Sequence, residues 1–345
     1  MATEHLERRV PFAAGDGRPL LLKNVRGAAA PTRDPVMVVH GAGVRSNIFR
    51  APVGTSIVDA LVAGGYDVWL LDWRASIALE ANYWTLDQAA LYDYPQAVRT
   101  IVQETGKQTL KAVVHCQGST SFMMSAVAGL LPEVTTVVSN AVSLHPVVPR
   151  WSRFKLDWVI PLLLPFTRSV DPHWGEKAMG LVPKMFAWLA DVTHRECHNR
   201  VCKLVSLVYG SGFPALWSHE TISTATHEWL KEEFGFVPLR FHEQMARCVR
   251  RGNLVSAEHL PGLPPDYAQS APKTNARFAL FAGERNLCFL PESQERTFRY
   301  LNKIRPDYHT LHVLPRYGHL DMFMSDDAAR DVFPLMVSEL DRGNH

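Results

Sequence analysis

Residues 110–119 read LKAVVHCQGS, and this stretch decides how the rest of the chain is interpreted. Residues 110–114, apolar except for Lys111, predict a buried strand, and the pattern of residues 117–130 predicts a helix. His115 and Cys116 lie between the two, so we expect a sharp turn from strand to helix at these residues. A side chain on such a turn stands clear of the sheet, and the backbone N–H that follows it points into the same space. Cys116 is therefore the candidate nucleophile.

Length and composition exclude several classes of protein. The chain has 345 residues, of which 47% are hydrophobic, so it can bury a sizeable core. Its formal charge of +2, without a basic tail, argues against a nucleic-acid partner. No apolar run is long enough for a membrane span, and residues 1–10 lack the apolar centre of a signal peptide. Five irregularly spaced cysteines favour a reducing, cytoplasmic compartment, and the sequence leaves a homo-oligomer open.

The first 149 residues alternate between predicted strands and helices. Residues 10–25 predict a hairpin with its turn at Asp16 and Gly17. The strands that follow are predicted at 36–39, 66–71, 110–114 and 134–144, and the helices at 55–63, 94–103 and 117–130. Short strands that are apolar on both faces and joined by helices are typical of parallel sheets. We predict an α/β fold with a doubly wound, mostly parallel sheet.

The alternation lapses over residues 150–272, which are rich in Trp, Phe, Leu, Met and Pro. We interpret this segment as a helical cap inserted before the last two strands. The sheet is predicted to resume at 277–281 and to end at 310–314, with helices at 291–302 and 327–340. The core would then comprise residues 1–149 and 273–345. The apolar cap indicates an apolar pocket and a small hydrophobic acyl substrate.

Five stretches carry a resemblance to a known family. They are YDVWLLDWRAS at 66–76, HCQGS at 115–119, LHPVVP at 144–149, CFLPESQER at 288–296 and YGHLD at 317–321. With these stretches the chain resembles the hydrolase-type domain fused to some cholesterol-oxidase-like flavin oxidoreductases, which has the α/β-hydrolase fold. It is more remotely similar to the acid lipases, through His-Leu-Asp at 319–321, and to the polyester synthases, which also use cysteine at the elbow. The resemblance covers nearly the whole chain.

The resemblance implies that His319, after the last strand, is the general base that serves Cys116. A helix N-terminus and a nearby imidazolium both lower the pKa of a thiol, so we expect a lowered pKa for Cys116. His115 is expected to pack beneath the elbow, because its side chain points away from that of Cys116. Val114 stands where the signature carries glycine, which predicts a locally adjusted turn.

The third member of the triad departs from the family pattern. The resemblance places the acid three residues beyond the glycine that ends the seventh strand, and this position holds Asn286. An asparagine can orient an imidazole through a hydrogen bond, but it cannot stabilise an imidazolium by charge. Glu284 and Asp321 are the alternative partners of His319.

The HGAG turn at 40–43 follows a buried strand and predicts one half of an oxyanion hole. Its donor would be the backbone N–H of Ala42, and the other donor would be the backbone N–H of Gln117. The alternative interpretation of HGAG is an ordinary glycine turn.

No cofactor or metal is predicted. The chain has neither the glycine-rich dinucleotide motif nor a P-loop. His194, His198 and Cys202 would share one face of a helix, and Cys197 lies close to them in the sequence. Their spacing matches no standard zinc-finger pattern, so a lid helix of mixed composition is the preferred interpretation.

These features together predict an enzyme that transfers an acyl group through Cys116. We expect hydrolysis of a hydrophobic carboxylic ester, thioester or lactone through a thioester intermediate. The first alternative is an acyltransferase that passes the acyl group to an alcohol or an amine, since thioesters react readily with amines. The second alternative is a non-catalytic binding protein on a hydrolase fold, and Asn286 is the feature that supports it.

Overall fold

The structure is a computed structural model that describes residues 5–195 and 197–342. Most of the chain's strands belong to one eight-stranded sheet. The strands in the described residues are β1 (Leu6–Ala13), β2 (Pro19–Arg26), β3 (Pro35–Val39), β4 (Asp67–Asp72), β5 (Leu110–His115), β6 (Val134–Asn140), β7 (Ser169–Val170), β8 (Val237–Pro238), β9 (Arg277–Gly283) and β10 (Thr310–Leu314).

Helices fill most of the chain between the strands. In the same described residues they are α1 (Ile57–Ala63), α2 (Leu86–Gln88), α3 (Tyr94–Thr105), α4 (Cys116–Val127), α5 (Arg150–Phe154), α6 (Ile160–Leu163), α7 (Leu181–Thr193), α8 (Arg200–Tyr209), α9 (Thr224–Trp229), α10 (Leu239–Arg251), α11 (Glu292–Ile304), α12 (Asp321–Met324), α13 (Ala328–Asp331) and α14 (Phe333–Asp341). A π-helical turn, Ala89–Asp93, joins α2 to α3, and another, Lys155–Val159, joins α5 to α6.

The sheet order is β1-β2-β4-β3-β5-β6-β9-β10. The strands β1 and β2 form the predicted antiparallel hairpin, β2 also runs antiparallel to β4, and every other neighbouring pair is parallel. Every residue of β3 and β4 is buried, as expected for central strands covered on both faces. The predicted α/β fold with a doubly wound, mostly parallel sheet is therefore confirmed.

Most predicted elements differ from the observed ones by a few residues at an end, and two of these differences have a clear cause in the backbone. The strand predicted at 134–144 ends at Asn140, because the next residue, Ala141, has a left-handed backbone with a φ of +79°. The helix predicted at 327–340 is divided into α13 and α14, which begins with Pro334 in its first turn. Proline lacks the N–H that would continue a preceding helix, but it is well tolerated in a first turn.

Between β6 and β9 the chain leaves the large sheet for more than a hundred residues. This segment contains α5 to α10 and the short antiparallel ribbon of β7 and β8. It is inserted directly before the last two strands of the sheet. None of the described helices is long and apolar enough to cross a membrane.

Candidate active site

Cys116 lies where β5 passes directly into α4. Its φ is +55°, in the left-handed region that residues with a side chain rarely adopt. A Cβ on Gly118 would lie 2.2 Å from the carbonyl oxygen of His40, and a Cβ on Gly41 would lie 2.9 Å from the Cβ of Cys116. Glycine at both positions therefore allows the HGAG turn and α4 to approach each other closely.

Val114 does not distort this turn. It pairs with Val39 of β3 and with Ser139 of β6 in a parallel register that is regular from Lys111 to the end of β5. Its side chain is fully buried in the core. The adjustment that we predicted at Val114 is therefore wrong, because the backbone leaves the strand only at Cys116.

Two backbone donors converge on the sulfur of Cys116. The backbone N–H groups of Ala42 and Gln117 both act on this side chain, and each lowers the pKa of its thiol. They come from the HGAG turn and from the first turn of α4, the two segments that the sequence singled out. A carbonyl that approaches the sulfur would meet the same two N–H groups with its oxygen.

The thiol of Cys116 is protonated in the resting structure. Burial raises its pKa to about 12, and the two backbone N–H groups oppose this rise without overcoming it. Only 8% of the residue is exposed. The expectation of a lowered pKa is therefore wrong, because desolvation of the thiolate outweighs the helix N-terminus.

His319 lies on the loop between β10 and α12, close to Cys116. One ring nitrogen of His319 lies within 4.8 Å of the Cys116 sulfur. The inserted segment holds this loop in place. The backbone N–H groups of His319 and Leu320 both donate to the carbonyl of Leu216, at 3.1 and 2.7 Å. Burial lowers the pKa of His319 to about 3, so the imidazole is neutral and the resting pair is thiol and imidazole rather than an ion pair.

Asn286 contacts His319 and determines which ring nitrogen carries the proton. Its side-chain oxygen accepts hydrogen bonds from the backbone N–H groups of Cys288 and Phe289, at 2.9 and 3.0 Å. Because only the oxygen can accept, the amide orientation is fixed and the NH₂ group faces Nδ1 of His319 at 3.1 Å. Nδ1 is then the acceptor, and the proton of the neutral ring resides on Nε2.

The structure places the two alternative partners of His319, Glu284 and Asp321, in other roles. Glu284 is exposed to solvent. Asp321 is buried, and its carboxylate accepts from the backbone N–H groups of Gly318 at 2.6 Å and Ser218 at 3.2 Å. Burial raises the pKa of Asp321 to about 6. Asp321 thus fixes the loop of His319, and Asn286 is the partner that the structure brings to the ring.

His115 belongs to the site, contrary to our expectation. Its ring centroid lies 4.6 Å from that of His319, and one of its nitrogens lies within 4.8 Å of the Cys116 sulfur. Its Nδ1 contacts the NH₂ group of Asn140 at 3.2 Å. Burial, followed by the two neighbouring histidines, lowers the pKa of His115 well below its usual value. Alternation along the strand predicted a side chain turned away, but the left-handed turn brings Cys116 back over its neighbour.

These three side chains have the donor types of a metal site, but their surroundings suit an anion. His115, Cys116 and His319 each place one ligand atom within 4.8 Å of the others. The N–H groups of Ala42 and Gln117 point their positive ends at the same sulfur. Converging backbone N–H groups bind anions and developing oxyanions.

An apolar pocket opens in front of Cys116. Side chains from the inserted segment form much of its wall, among them Ile160, Val208, Phe241 and Met245. Phe289, next to the Asn286 loop, closes the wall from the core side. A pocket of this composition accepts an apolar group bound next to the sulfur.

Lys155 also lines this pocket and was not singled out from the sequence. Its Nζ donates to the carbonyls of Leu207, at 2.6 Å, and Gly210, and burial lowers its pKa to about 8. These carbonyls belong to the end of α8, where helix carbonyls lack partners within the helix. Lys155 therefore links the end of α8 to the π-helical turn Lys155–Val159. Such a contact joins residues far apart in the chain, and no sequence motif predicts it.

Comparison with known proteins gives relatives of low identity. No protein-family model matches the chain. It is similar to lipase member K of Homo sapiens, 24% identical over 346 residues that span 90% of this chain and 80% of that protein. A probable lipase of Schizosaccharomyces pombe is 22% identical over 338 residues, 89% of this chain and 70% of that protein. A solved open form of a lipase is 16% identical with a TM-score of 0.63, covering 99% of this chain and 100% of that one.

The chain has the α/β-hydrolase fold. Its strand order and the likeness to solved lipase and esterase structures agree on this point. The predicted fold is thereby confirmed, with the elbow after the fifth strand and the histidine after the last. The nucleophilic role of the cysteine and the resemblance to the domain fused to flavin oxidoreductases stay predictions.

Proposed function

We propose that the chain is a cysteine-dependent hydrolase of a hydrophobic carboxylic ester, thioester or lactone. The observation that carries this proposal is the convergence of two backbone N–H groups, from Ala42 and Gln117, on the sulfur of Cys116 beside an apolar pocket. Removing one such donor typically costs about 3 kcal/mol of transition-state stabilisation. A structural cysteine has no need of two donors from separate segments directed at its sulfur.

In the proposed reaction, the sulfur of Cys116 attacks the carbonyl carbon and its proton passes to Nε2 of His319. The carbonyl oxygen becomes an oxyanion between the N–H groups of Ala42 and Gln117. Collapse of the tetrahedral intermediate breaks the bond to the leaving group, which takes the proton from His319, and a thioester remains on Cys116. His319 then accepts a proton from water, and the hydroxide equivalent releases the acid and restores the thiol.

Asn286 opposes the first step of this sequence in its resting orientation. His319 can accept the thiol proton only if Nε2 is bare, which requires the ring proton to reside on Nδ1. An Nδ1–H would face the NH₂ group of Asn286, so the amide has to turn its oxygen towards the ring. That turn loses two hydrogen bonds, from Cys288 and Phe289, each worth about 0.5–1.5 kcal/mol. We therefore propose a slow enzyme in which Asn286 is a positioning residue.

The substrate class follows from the pocket and from the surface of the inserted segment. We propose that residues 150–272 form a cap over the pocket, since this segment supplies most of the pocket wall. The cap exposes large apolar side chains, including Trp158 (65% exposed), Phe166 (76%) and Trp188 (63%). An exposed apolar surface of this kind suits contact with hydrophobic molecules. The lipase names of the relatives agree with a hydrophobic acyl substrate.

A binding protein on a hydrolase fold is the second candidate, and the orientation of Asn286 is the observation that favours it. A site that holds the thiol protonated and Nε2 protonated can bind a carbonyl without reacting with it. Incubation with p-nitrophenyl esters of increasing chain length separates the two candidates. Release of p-nitrophenol that is lost in Cys116→Ala supports the hydrolase, and saturable binding without release supports the binding protein.

The acceptor of the acyl group is tested in the same assay. Added alcohols or amines should leave the rate of p-nitrophenol release and the yield of free acid unchanged if water is the acceptor. Formation of the new ester or amide at the expense of the free acid would instead support the acyltransferase.

A further inference from the structure

A second group of cysteine and histidine side chains lies in the inserted segment, apart from the proposed active site. Four potential ligand atoms, two sulfurs and two ring nitrogens, all lie within 4.8 Å of one another. The four residues, called the Cys2His2 cluster below, are Cys197, Cys202, His219 and His227. Both cysteines are buried and free of disulfide, and both histidines are partly exposed at the mouth of a surface pocket.

The distances within the Cys2His2 cluster fit a tetrahedral ion. The sulfur of Cys197 lies 3.5 Å from Nε2 of His227, and the sulfur of Cys202 lies 3.5 Å from Nε2 of His219. Zinc binds sulfur at about 2.3 Å and imidazole nitrogen at about 2.0–2.1 Å, so a tetrahedral site separates sulfur from nitrogen by about 3.5 Å. Two unconnected thiol–imidazole contacts would not need to converge on one point.

The surroundings of the cluster hold its sulfurs in place. Asn199 donates its backbone N–H to the sulfur of Cys197 at 3.2 Å. Its side-chain oxygen accepts from the backbone N–H of Cys202 at 3.0 Å, and its side-chain NH₂ donates to the carbonyl of His227 at 3.0 Å. One residue thus joins three of the four ligand segments. Such outer contacts to a thiolate and to ligand backbones are typical of built metal sites.

We propose that the Cys2His2 cluster binds one structural zinc ion. Two thiolates and two neutral imidazoles neutralise the charge of the ion and fill its four positions, which leaves none open for a substrate. The sequence analysis predicted no metal and preferred a lid helix of mixed composition for His194, His198 and Cys202, so this proposal departs from it in both the ion and the ligand set. His194 and His198 do not share a helix with Cys202, because α7 ends at Thr193 and α8 begins at Arg200.

The ion would also brace the proposed active site. Residues 210–223, which carry His219, contain no helix or strand. In this stretch the carbonyl of Leu216 accepts from the backbone of His319, and Ser218 donates to Asp321. An ion that ties His219 to Cys197 and Cys202 therefore restrains the segment on which the loop of His319 rests. Loss of the ion should loosen that loop without removing any group that touches substrate.

Metal analysis of the purified 345-residue chain tests the proposal. We expect one zinc ion per chain after extensive dialysis, retained by His198→Ala, which changes a histidine at the same pocket but outside the cluster. Cys197→Ser combined with Cys202→Ser should lose the zinc. Zinc retained by this double variant, or a metal-free native protein that takes up no added zinc, would overturn the proposal.

Cobalt substitution keeps the test decisive if the cysteine variants fail to fold. The Co²⁺ form of the native protein should show thiolate-to-cobalt charge transfer and the strong visible bands of a tetrahedral site. His227→Cys should retain the ion and increase the charge-transfer intensity, because a third thiolate replaces an imidazole. An octahedral cobalt spectrum, or a disulfide between Cys197 and Cys202 in protein handled without oxidants, would contradict the assignment.

Discussion

The Cys116 site and the Cys2His2 cluster combine the same two residue types in different surroundings. At Cys116, two backbone N–H groups from separate segments point at one sulfur, which lies on a left-handed turn below an apolar pocket. In the cluster, two sulfurs and two imidazole nitrogens converge on a common centre at the protein surface. Converging N–H groups favour negative charge on a bound group, whereas converging lone pairs favour a cation. The groups around a cysteine, rather than the cysteine itself, indicate its chemistry.

The largest effect should come from removing the sulfur at residue 116. Cys116→Ala should lower kcat/KM for an activated ester by at least about a thousandfold, as expected for loss of a nucleophile. Its zinc content should equal that of the native protein. Steady-state kinetics and metal analysis on the same preparation check the loss of kcat/KM and the unchanged zinc content. Activity that persists in this variant would show that Cys116 is not the nucleophile, and the proposed difference in function between the Cys116 site and the Cys2His2 cluster would be wrong.

A gain of activity is expected when Asn286 becomes an acid. In Asn286→Asp, one carboxylate oxygen keeps the hydrogen bonds from Cys288 and Phe289 while the other accepts an Nδ1–H from His319. Nε2 is then bare, and the negative charge raises the pKa of His319. We expect kcat/KM to rise about tenfold or more, which corresponds to about 1.4 kcal/mol. The pH profile should gain a new acidic inflection.

Asn140 offers a matched control for this gain. It contacts Nδ1 of His115 as Asn286 contacts Nδ1 of His319, but its oxygen accepts no hydrogen bond from the described residues. Asn140→Asp should leave kcat/KM unchanged or lower it. If both aspartate variants gain activity equally, or if Asn286→Asp gains none, the proposed control of the ring proton by Asn286 is wrong.

Removal of zinc should have a smaller effect on turnover than either change at the Cys116 site. Chelation should lower Tm by several degrees, because an ion that binds only the folded state stabilises it. We expect kcat to fall only about two- to fivefold, since the ion contacts no reacting group and acts through the loop of His319. Calorimetry and kinetics with and without a strong chelator measure both. A thousandfold loss of kcat would place the ion in the reaction itself.

A smaller effect concerns the stability of the core in acid. Burial lowers the pKa of His319 to about 3 and those of His40 and His242 to about 4, against 6.5 in the unfolded chain. The unfolded chain therefore binds more protons between these values, so stability is greatest above about pH 6.5 and falls as the pH drops towards 4. Burial raises the pKa of Asp321 to about 6, so this carboxyl group binds its proton more readily in the folded state and stabilises it as the pH falls. The three histidines together outweigh this one carboxyl group.

Urea unfolding at a series of pH values measures this slope. His242→Gln, in the pocket wall, should flatten it, because one group no longer binds a proton on unfolding. A free energy of unfolding that stays constant or rises between pH 6.5 and 4 would show that these rings are not held neutral.

Short-range pattern predicted the sheet and the turn that carries the candidate nucleophile. Apolar runs predicted β3, β4 and β5, and the junction of a predicted strand with a predicted helix placed the turn at Cys116. Each of these features depends on residues close together in the chain. The orientation of Asn286 depends on the backbone of Cys288 and Phe289, and the cluster joins residues from 197 to 227 across a loop. Contacts of that kind are set by packing, so neither the protonated nitrogen of His319 nor the ligand set was visible in the sequence.

The most direct test of the account is intact-mass analysis of the protein after brief incubation with a p-nitrophenyl ester. We predict an increase equal to one acyl group, mapped to Cys116, absent in Cys116→Ala and released by hydroxylamine at neutral pH as a thioester is. An unmodified protein, in both the native form and Asn286→Asp, without release of p-nitrophenol, would contradict the claim that this cysteine is a nucleophile.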